Sequence, residues 1–229
     1  MKQLDQTDID QLKYAIIQII KLNLSLSDER SVCLVSKSPR RRECLKEFVS
    51  EFNTDLVSEK EELVFFEKMS EVAHYLALQK QKHFLQKNIN NDRYVITSDT
   101  IVYYEPEKKL LGKPRNIKDA ENMLRYHLGK QHKVATALVI TDRYSGKLHS
   151  VVDTTVVRFK PYSRDIESAI QDYLILNPPH GPLDKAGAYG IQEVLIKKNL
   201  IEGIEGDEST VIGFPMIKFK KLWDDLLIR

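Results

Sequence analysis

The fold of this chain is decided by residues 32–43, whose sequence is VCLVSKSPRRRE. The apolar run predicts a buried strand. Ser38 and Pro39 predict the start of a helix, because serine caps helix N-termini and proline suits the first helical position. Three arginines, 40–42, follow in the first helical turn, where N–H groups and the helix dipole already favour an anion. Because arginine matches phosphate oxygens, the stretch predicts a phosphate-bearing ligand, with a solvated basic helix as the alternative.

Composition narrows the class of protein. The chain has 229 residues, 42% of them hydrophobic and 30% charged, which fits a soluble globular protein of one large domain or two small ones. A net charge of +2 gives no support to nucleic-acid binding. The two cysteines, Cys33 and Cys44, form neither a disulfide framework nor a zinc spacing, so we expect a reducing, cytoplasmic setting. No apolar run approaches the ~18 residues that cross a bilayer, so no membrane association is expected.

Hydrophobic periodicity predicts a chain in which strands and helices alternate before a hairpin appears. This order predicts an α/β fold: a mixed twisted sheet with flanking helices, in two lobes around a cleft. Residues 1–30 are expected to form an N-terminal helical extension, with Thr7 as the helix cap, and residues 31–229 the main domain. Predicted helices cover 7–22, 39–49, 70–86, 116–129, 163–175 and 215–227, and predicted strands 32–36, 53–57, 94–97, 101–104, 132–142 and 148–159.

Asp99 is the second notable feature, because it lies between the apolar residues of ITSDTIV (96–102). A carboxylate at such a position is either buried or at a strand break, and a buried charge is costly unless it is paired or bound to metal. The position suits a metal ligand or a base that orients water. The alternative is an aspartate that caps N–H groups in a turn.

Two glycine-containing segments complete the candidate site. Gly112-Lys113-Pro114 combines a glycine that permits close approach of a ligand with a cation for phosphate. Residues 184–192, DKAGAYGIQ, end on Gln192, whose amide can both donate and accept and so suits a base edge. Taken alone, Gly112-Lys113-Pro114 is a weak signal that favours a solvated loop, and the alternative for residues 184–192 is a glycine-rich turn with an exposed amide. Structural roles are favoured for His132 and His180. The sequence contains no GxxxxGK[ST], GxGxxG, HExxH or GxSxG motif.

Six motifs in order resemble the Maf family of nucleotide pyrophosphatases. They are SKSPRR (36–41), SDTIV (98–102), LGKP (111–114), HKVAT (132–136), residues 184–192 and residues 204–215. The resemblance covers about residues 32–227. It implies a fold similar to inosine-triphosphate pyrophosphatases and hydrolysis of a nucleoside triphosphate to the monophosphate and pyrophosphate. It also implies a divalent cation, Mg²⁺ or Mn²⁺, and a possible homodimer.

Matching positions assign roles within that resemblance. Asp99 is implied to be the catalytic acidic residue that activates water, and Asp99 and Glu59 to be the metal ligands. Base selection is implied for Arg41, Thr100 and Gln192. Phosphate binding is implied for Ser36, Ser38, Arg40, Arg41, Lys80, Lys113 and Lys185.

The motifs are closest to the branch that acts on dTTP and UTP, ahead of the branch for 7-methyl-GTP or CTP. The chain differs from the family pattern at Ser58, Gln81 and Glu193, and the last two border the expected base pocket. A non-catalytic nucleotide-binding protein that keeps the fold is the remaining alternative.

Overall fold

The computed structural model describes residues 2–22, 28–57, 64–87, 91–176, 181–193 and 195–227. It has a mixed seven-stranded sheet in the order β3-β2-β5-β7-β8-β9, with β6 paired to β5, and a separate two-stranded sheet of β1 and β4. The elements are β1 (Lys2–Leu4), α1 (Gln6–Leu22), β2 (Asp28–Val35), α2 (Pro39–Lys46), β3 (Asn53–Asp55), β4 (Val64–Phe66), α3 (Ser70–Lys87), β5 (Asp92–Tyr104), β6 (Lys109–Leu111), α4 (Ile117–His127), β7 (Gln131–Asp142), β8 (Lys147–Phe159), α5 (Arg164–Leu174), β9 (Ile201–Glu205), α6 (Glu208–Ile212) and α7 (Met216–Leu227).

The predicted α/β class with a mixed sheet and flanking helices is confirmed. Strand β2 pairs in parallel with β3 and β5, whereas β6 on β5 and β9 on β8 are antiparallel. The predicted interruption after residue 97 is wrong, because β5 runs without a break through Ser98, Asp99 and Thr100. The described chain divides into two compact units, and the cleft expected between two lobes stays a prediction.

The first unit comprises Met1–Asp99, Thr136–Asp153 and Gly213–Arg229. Helix α1 packs against α3 and buries Ile9, Ile16 and Ile20, so it shares the core of this unit. Its start differs from the prediction: Asp5, not Thr7, is the cap, because the Asp5 carboxylate accepts hydrogen bonds from the Thr7 and Asp8 amides. The extension boundary at residue 30 stays a prediction.

Helix α2 begins as the sequence predicted. The Ser38 hydroxyl accepts a hydrogen bond from the Arg41 amide at 3.4 Å, and Pro39 occupies the first turn. The preceding strand is wholly buried from Val32 to Val35, which explains its continuous apolar run. Since Val35 lies in register with Asp55 and Thr97, the chain leaves β2 beside the stretch of β5 that reaches Asp99.

The second unit comprises Thr100–Ala135 and Thr154–Ile212. Its core includes a group of packed rings, which we call the histidine cluster: Tyr104, His127, His132, Phe159 and Tyr189. Burial lowers the pKa of His127 to about 4 and holds that of His132 well below its ordinary value, so both rings are neutral near pH 7. His132 is thus a core residue, and His180 lies outside the described residues.

No helix among the described residues is long and apolar enough to cross a bilayer. Cys33 and Cys44 are both buried thiols.

The histidine cluster predicts acid-sensitive stability. An unfolded His127 takes up a proton below its ordinary pKa of 6.5, whereas the folded residue takes one up only near 4. The free energy of unfolding contributed by this residue is therefore complete above pH 6.5 and falls by up to about 3 kcal/mol as the pH approaches 4. Urea denaturation between pH 7 and pH 4 measures the slope.

The control for this prediction is His127→Gln, which cannot titrate. We expect the unfolding free energy of this variant to depend less steeply on pH over the same interval. Parallel slopes for the two proteins would contradict the assignment.

Candidate active site

The candidate site of the first unit is centred on Asp99. Its side chain is almost fully buried, with the residue 6% exposed, and it forms an ion pair and hydrogen bond with Lys80 of α3. A carboxylate in a buried strand needs such a partner because the uncompensated charge is costly to desolvate. Asp99 thus lies buried within β5 and does not cap a turn, whereas its role as a metal ligand or as a base that orients water stays a prediction.

Two hydrogen bonds fix Lys80 at this position. Thr97 donates its hydroxyl to the Ala77 carbonyl at 2.9 Å, and Gln81 donates its amide to the Val95 carbonyl at 3.1 Å. Because residues two apart in a strand face the same side, the Thr97 and Asp99 side chains both reach α3, and the Val95 carbonyl adds a third contact that sets the register of α3 on β5. Gln81, noted above as a departure, is thus a buried bridge, which also donates to the Thr141 hydroxyl at 2.7 Å.

Arg41 connects helix α2 to the strand that carries Asp99. Its Nε donates to the Gly213 carbonyl at 2.8 Å and its Nη1 to the Ser98 carbonyl at 2.7 Å. The Ser98 hydroxyl donates to the same Gly213 carbonyl at 3.0 Å. Gly213 has φ of +106°, a conformation that favours glycine. We call these three residues the arginine clip, and it holds the α2 N-terminus beside the residue that precedes Asp99.

The first unit therefore brings together most of its predicted site residues. Ser36 follows β2 directly, and its hydroxyl accepts a hydrogen bond from the Ser38 amide at 3.2 Å. Arg40 is half-buried in the first turn of α2. The result is a carboxylate and several cations along one edge of the parallel strands, an arrangement suited to a polyphosphate.

A second group of predicted residues is assembled within the second unit. The Gly187 amide donates to the Gly112 carbonyl at 3.0 Å, which joins the segment 184–192 to the segment 111–114. Lys113 is exposed beside that bond, and Thr100, half-buried, is the first residue of this unit.

Lys185 has a defined environment. It is only 3% exposed, and its ammonium donates to the Gly181 carbonyl at 2.6 Å and to the Asp184 carboxylate at 2.7 Å. Its stem passes over Gly190, where an added Cβ would lie 2.5 Å from the Lys185 Cε and 3.1 Å from the Gln192 Nε2. The two predicted ligand contacts, Lys185 and Gln192, thus lie against the same glycine.

The predicted metal site, with Asp99 and Glu59 as ligands, stays a prediction. Glu59 and Ser58 lie outside the described residues. Elsewhere in the described ranges, no group of three or more histidine, cysteine, aspartate or glutamate side chains could hold a metal ion. Among the described residues Asp99 is the one predicted metal ligand, and its carboxylate oxygens are donors of the kind that Mg²⁺ accepts.

The sequence did not predict three of the residues that hold the site residues in place: Ser98, Gly213 and Asp184. Ser98 and Gly213 are 115 positions apart, so no local pattern indicates that they meet. Asp184 directly precedes Lys185, and the only available signal was that adjacency of opposite charges.

Comparison with known proteins identifies the family. The model for Maf-like proteins matches residues 31–226, and the chain belongs to this family. It is 35% identical over 185 residues to a dTTP/UTP pyrophosphatase of Thermotoga maritima, covering 81% of this chain and 84% of that protein. A dTTP/UTP pyrophosphatase of Thermosipho africanus is 35% identical over 204 residues, with 86% and 93% covered. One from Bacillus cereus is 36% identical over 189 residues, with 82% and 91% covered.

The arginine clip predicts a stability effect in the absence of any ligand. We expect Arg41→Ala to lower the free energy of unfolding by about 2 kcal/mol, because it strips hydrogen-bond donors from two carbonyls. Chemical denaturation of the nucleotide-free protein measures this.

The matched control is Lys37→Ala at an exposed position four residues earlier, where we expect a change within about 0.5 kcal/mol. Equal stability of the Arg41→Ala and Lys37→Ala proteins would show that Arg41 does not hold the two elements together.

Proposed function

We propose that this protein hydrolyses nucleoside triphosphates to the monophosphate and pyrophosphate, with dTTP and UTP as preferred substrates. The observation that carries the proposal is the buried Asp99–Lys80 pair, placed beside the capped, arginine-rich start of α2. A paired carboxylate next to phosphate-binding groups is the minimum that water-mediated cleavage of a phosphoanhydride needs. The choice of base follows the names of the relatives, which are dTTP/UTP pyrophosphatases.

In the proposed reaction, Asp99 accepts a proton from the water that attacks the α-phosphorus. A bond forms between the water oxygen and phosphorus, and the bond from phosphorus to the α–β bridging oxygen breaks. Pyrophosphate leaves with the electron pair of that bond. Lys80 holds the Asp99 carboxylate in place and adds positive charge where negative charge develops on the phosphate.

The remaining residues bind and orient the substrate. Phosphate oxygens are bound by the hydroxyls and cations of Ser36, Ser38, Arg40, Arg41, Lys80, Lys113 and Lys185, which together offset the charge of the triphosphate. Arg41, Thr100 and Gln192 select the base. Arginine and glutamine suit this task because their donors have fixed geometry.

A divalent cation, Mg²⁺ or Mn²⁺, belongs to the same proposal, with Asp99 and Glu59 as its protein ligands. When bound, the ion neutralises charge on the phosphate oxygens and helps to align them. A homodimeric state, a cytoplasmic location and an N-terminal helical extension over residues 1–30 are further proposals, supported by the resemblance and the sequence patterns given above.

One prediction of this proposal concerns the hydrolytic reaction. With Mg²⁺, we expect pyrophosphate release from dTTP or UTP, and we expect Asp99→Asn to lower kcat by about 10²- to 10⁴-fold, because the amide cannot accept the proton. A panel that adds CTP, 7-methyl-GTP and modified pyrimidine nucleotides measures both the activity and the preference. Asp224→Asn, at a surface carboxylate of α7, is the matched control and should leave kcat unchanged.

Three outcomes separate the alternatives. Turnover of 7-methyl-GTP or CTP alone would keep the reaction and overturn the base preference. Nucleotide binding without turnover, unchanged by Asp99→Asn, would favour the non-catalytic protein. Full activity in Asp99→Asn would remove Asp99 from the mechanism.

Another prediction of this proposal concerns the selection of the base. We expect Gln192→Ala to lower the ratio of kcat/KM for dTTP to that for CTP by about tenfold, since hydrogen bonds to a base edge are worth ~1–3 kcal/mol of discrimination. Steady-state kinetics with both substrates measures the ratio. Gln171→Ala, at an exposed position of α5 in the same unit, is the control, and an equal ratio in both variants would contradict the role of Gln192.

A further inference from the structure

The segment 184–192 contains a backbone conformation that requires support. Gly187 and Ala188 have φ of 68° and 64°, so two consecutive residues are left-handed. Glycine adopts this conformation freely, but alanine does so only at a cost of about 1 kcal/mol or more. Ala188 is also fully buried, so the turn is held inside the second unit. Contacts from outside the turn must therefore stabilise it.

His127, the last residue of α4, provides such a contact. Its Nε2 lies 2.9 Å from the Gly187 carbonyl oxygen. A Cβ added at Gly187 would lie 3.3 Å from the same nitrogen and 3.2 Å from both γ carbons of Val102. Glycine at 187 thus adopts the positive φ without strain and leaves room for the His127 ring to approach.

The hydrogen bonds of His127 determine its tautomer. A carbonyl oxygen only accepts, so Nε2 carries the proton and donates it to Gly187. Nδ1 is then the acceptor, and the Tyr104 hydroxyl donates to it at 2.7 Å. The ring is stacked on Phe159 with 4.8 Å between centroids and an angle of 27°. Both nitrogens and one ring face are therefore occupied, which fixes the position of the donor.

The same turn determines where two proposed substrate-binding side chains lie. The Ala188 amide donates to the Lys185 carbonyl at 3.1 Å, which closes the turn on Lys185. Two residues after Ala188, Gly190 lies against the Lys185 stem and the Gln192 amide. A displacement of Gly187 would therefore shift Lys185 and Gln192 together.

We propose that His127 is a positioning residue, which fixes the left-handed turn at Gly187–Ala188 through its hydrogen bond and so sets the places of Lys185 and Gln192. This inference rests on the proposed function for its kinetic consequences. His127 touches no proposed reacting atom, and its effect is transmitted through the backbone. Tyr104 supports it by fixing the tautomer.

The kinetic test compares His127→Leu with His127→Gln. Glutamine can place an amide N–H where the histidine Nε2–H lies, whereas leucine fills similar space and donates nothing. We expect His127→Leu to raise KM for dTTP about tenfold and to lower the dTTP-to-CTP preference as Gln192→Ala does, with His127→Gln restoring most of both. If His127 only contributes to packing, thermal stability falls in the leucine variant while KM and preference of the folded enzyme stay at the wild-type values, which would overturn the inference.

A second readout needs no turnover. Amide hydrogen exchange of the nucleotide-free proteins, followed on peptides covering 184–193, should be faster in His127→Leu and close to wild type in His127→Gln. Peptides of the first unit should be unchanged in both variants. If the wild-type protein hydrolyses no nucleotide, the proposed function fails and exchange alone decides: equal protection of 184–193 in all three proteins overturns the positioning role.

Discussion

The ion pair between Asp99 and Lys80 is the constraint on which the arrangement of the first unit depends. A carboxylate inside a buried strand is tolerated only with a cation in contact, since the cost of desolvating an unpaired charge is several kcal/mol. Helix α3 must therefore lie on β5 in one register, and the hydrogen bonds from Thr97 to Ala77 and from Gln81 to Val95 fix that register in the part of β5 that precedes Asp99. Sliding α3 by one turn would break three polar contacts together. The pairing that stabilises the buried Asp99 charge thus also fixes the position of the Lys80 ammonium next to that carboxylate.

Helix α2 is held to this strand by different chemistry. Three arginines in the first turn are unfavourable for an isolated helix, because like charge is added to the positive end of its dipole. One of them, Arg41, is directed away from solvent and into the carbonyls of Ser98 and Gly213. Because carbonyl oxygens carry partial negative charge, they attract the Arg41 guanidinium. The arginine that is unfavourable at the N-terminus of α2 thus also binds this helix to β5 and to Gly213. Arg41 therefore has a structural role in addition to the ligand-binding role that the sequence predicted for it.

The sequence predicted the elements that local interactions specify and missed those that depend on contacts between residues far apart in the chain. Ser38 and Pro39 specify the start of α2 locally, and the apolar run before them specifies β2, so both elements were predicted. Their bounds differ from the prediction, because β2 already begins at Asp28 and α2 ends at Lys46. The strand β5 was predicted as two pieces because Ser98-Asp99-Thr100 has the composition of a turn. The Asp99 carboxylate pairs with Lys80 of α3, and the Ser98 hydroxyl donates to the Gly213 carbonyl. No local sequence pattern indicates that these partners lie there. Strands β1, β4 and β6 were not predicted, and each is only three residues long, which leaves little period to recognise. Strand β3 has the same length and was predicted as a longer strand over 53–57.

The second unit shows why glycine-rich segments are the hardest part of a site to interpret from sequence. DKAGAYGIQ is compatible with a solvated loop, yet its Gly187 and Gly190 are required by two separate contacts, one with His127 and one with the stem of Lys185. The backbone of residues 187–190 therefore connects the buried neutral ring of His127 to the buried side chain of Lys185. The cation is compensated by Asp184 and a carbonyl, and the ring by a tyrosine and a carbonyl. Each buried polar group is therefore satisfied only if the turn keeps one conformation, so polar satisfaction restricts a segment whose composition would otherwise leave it flexible.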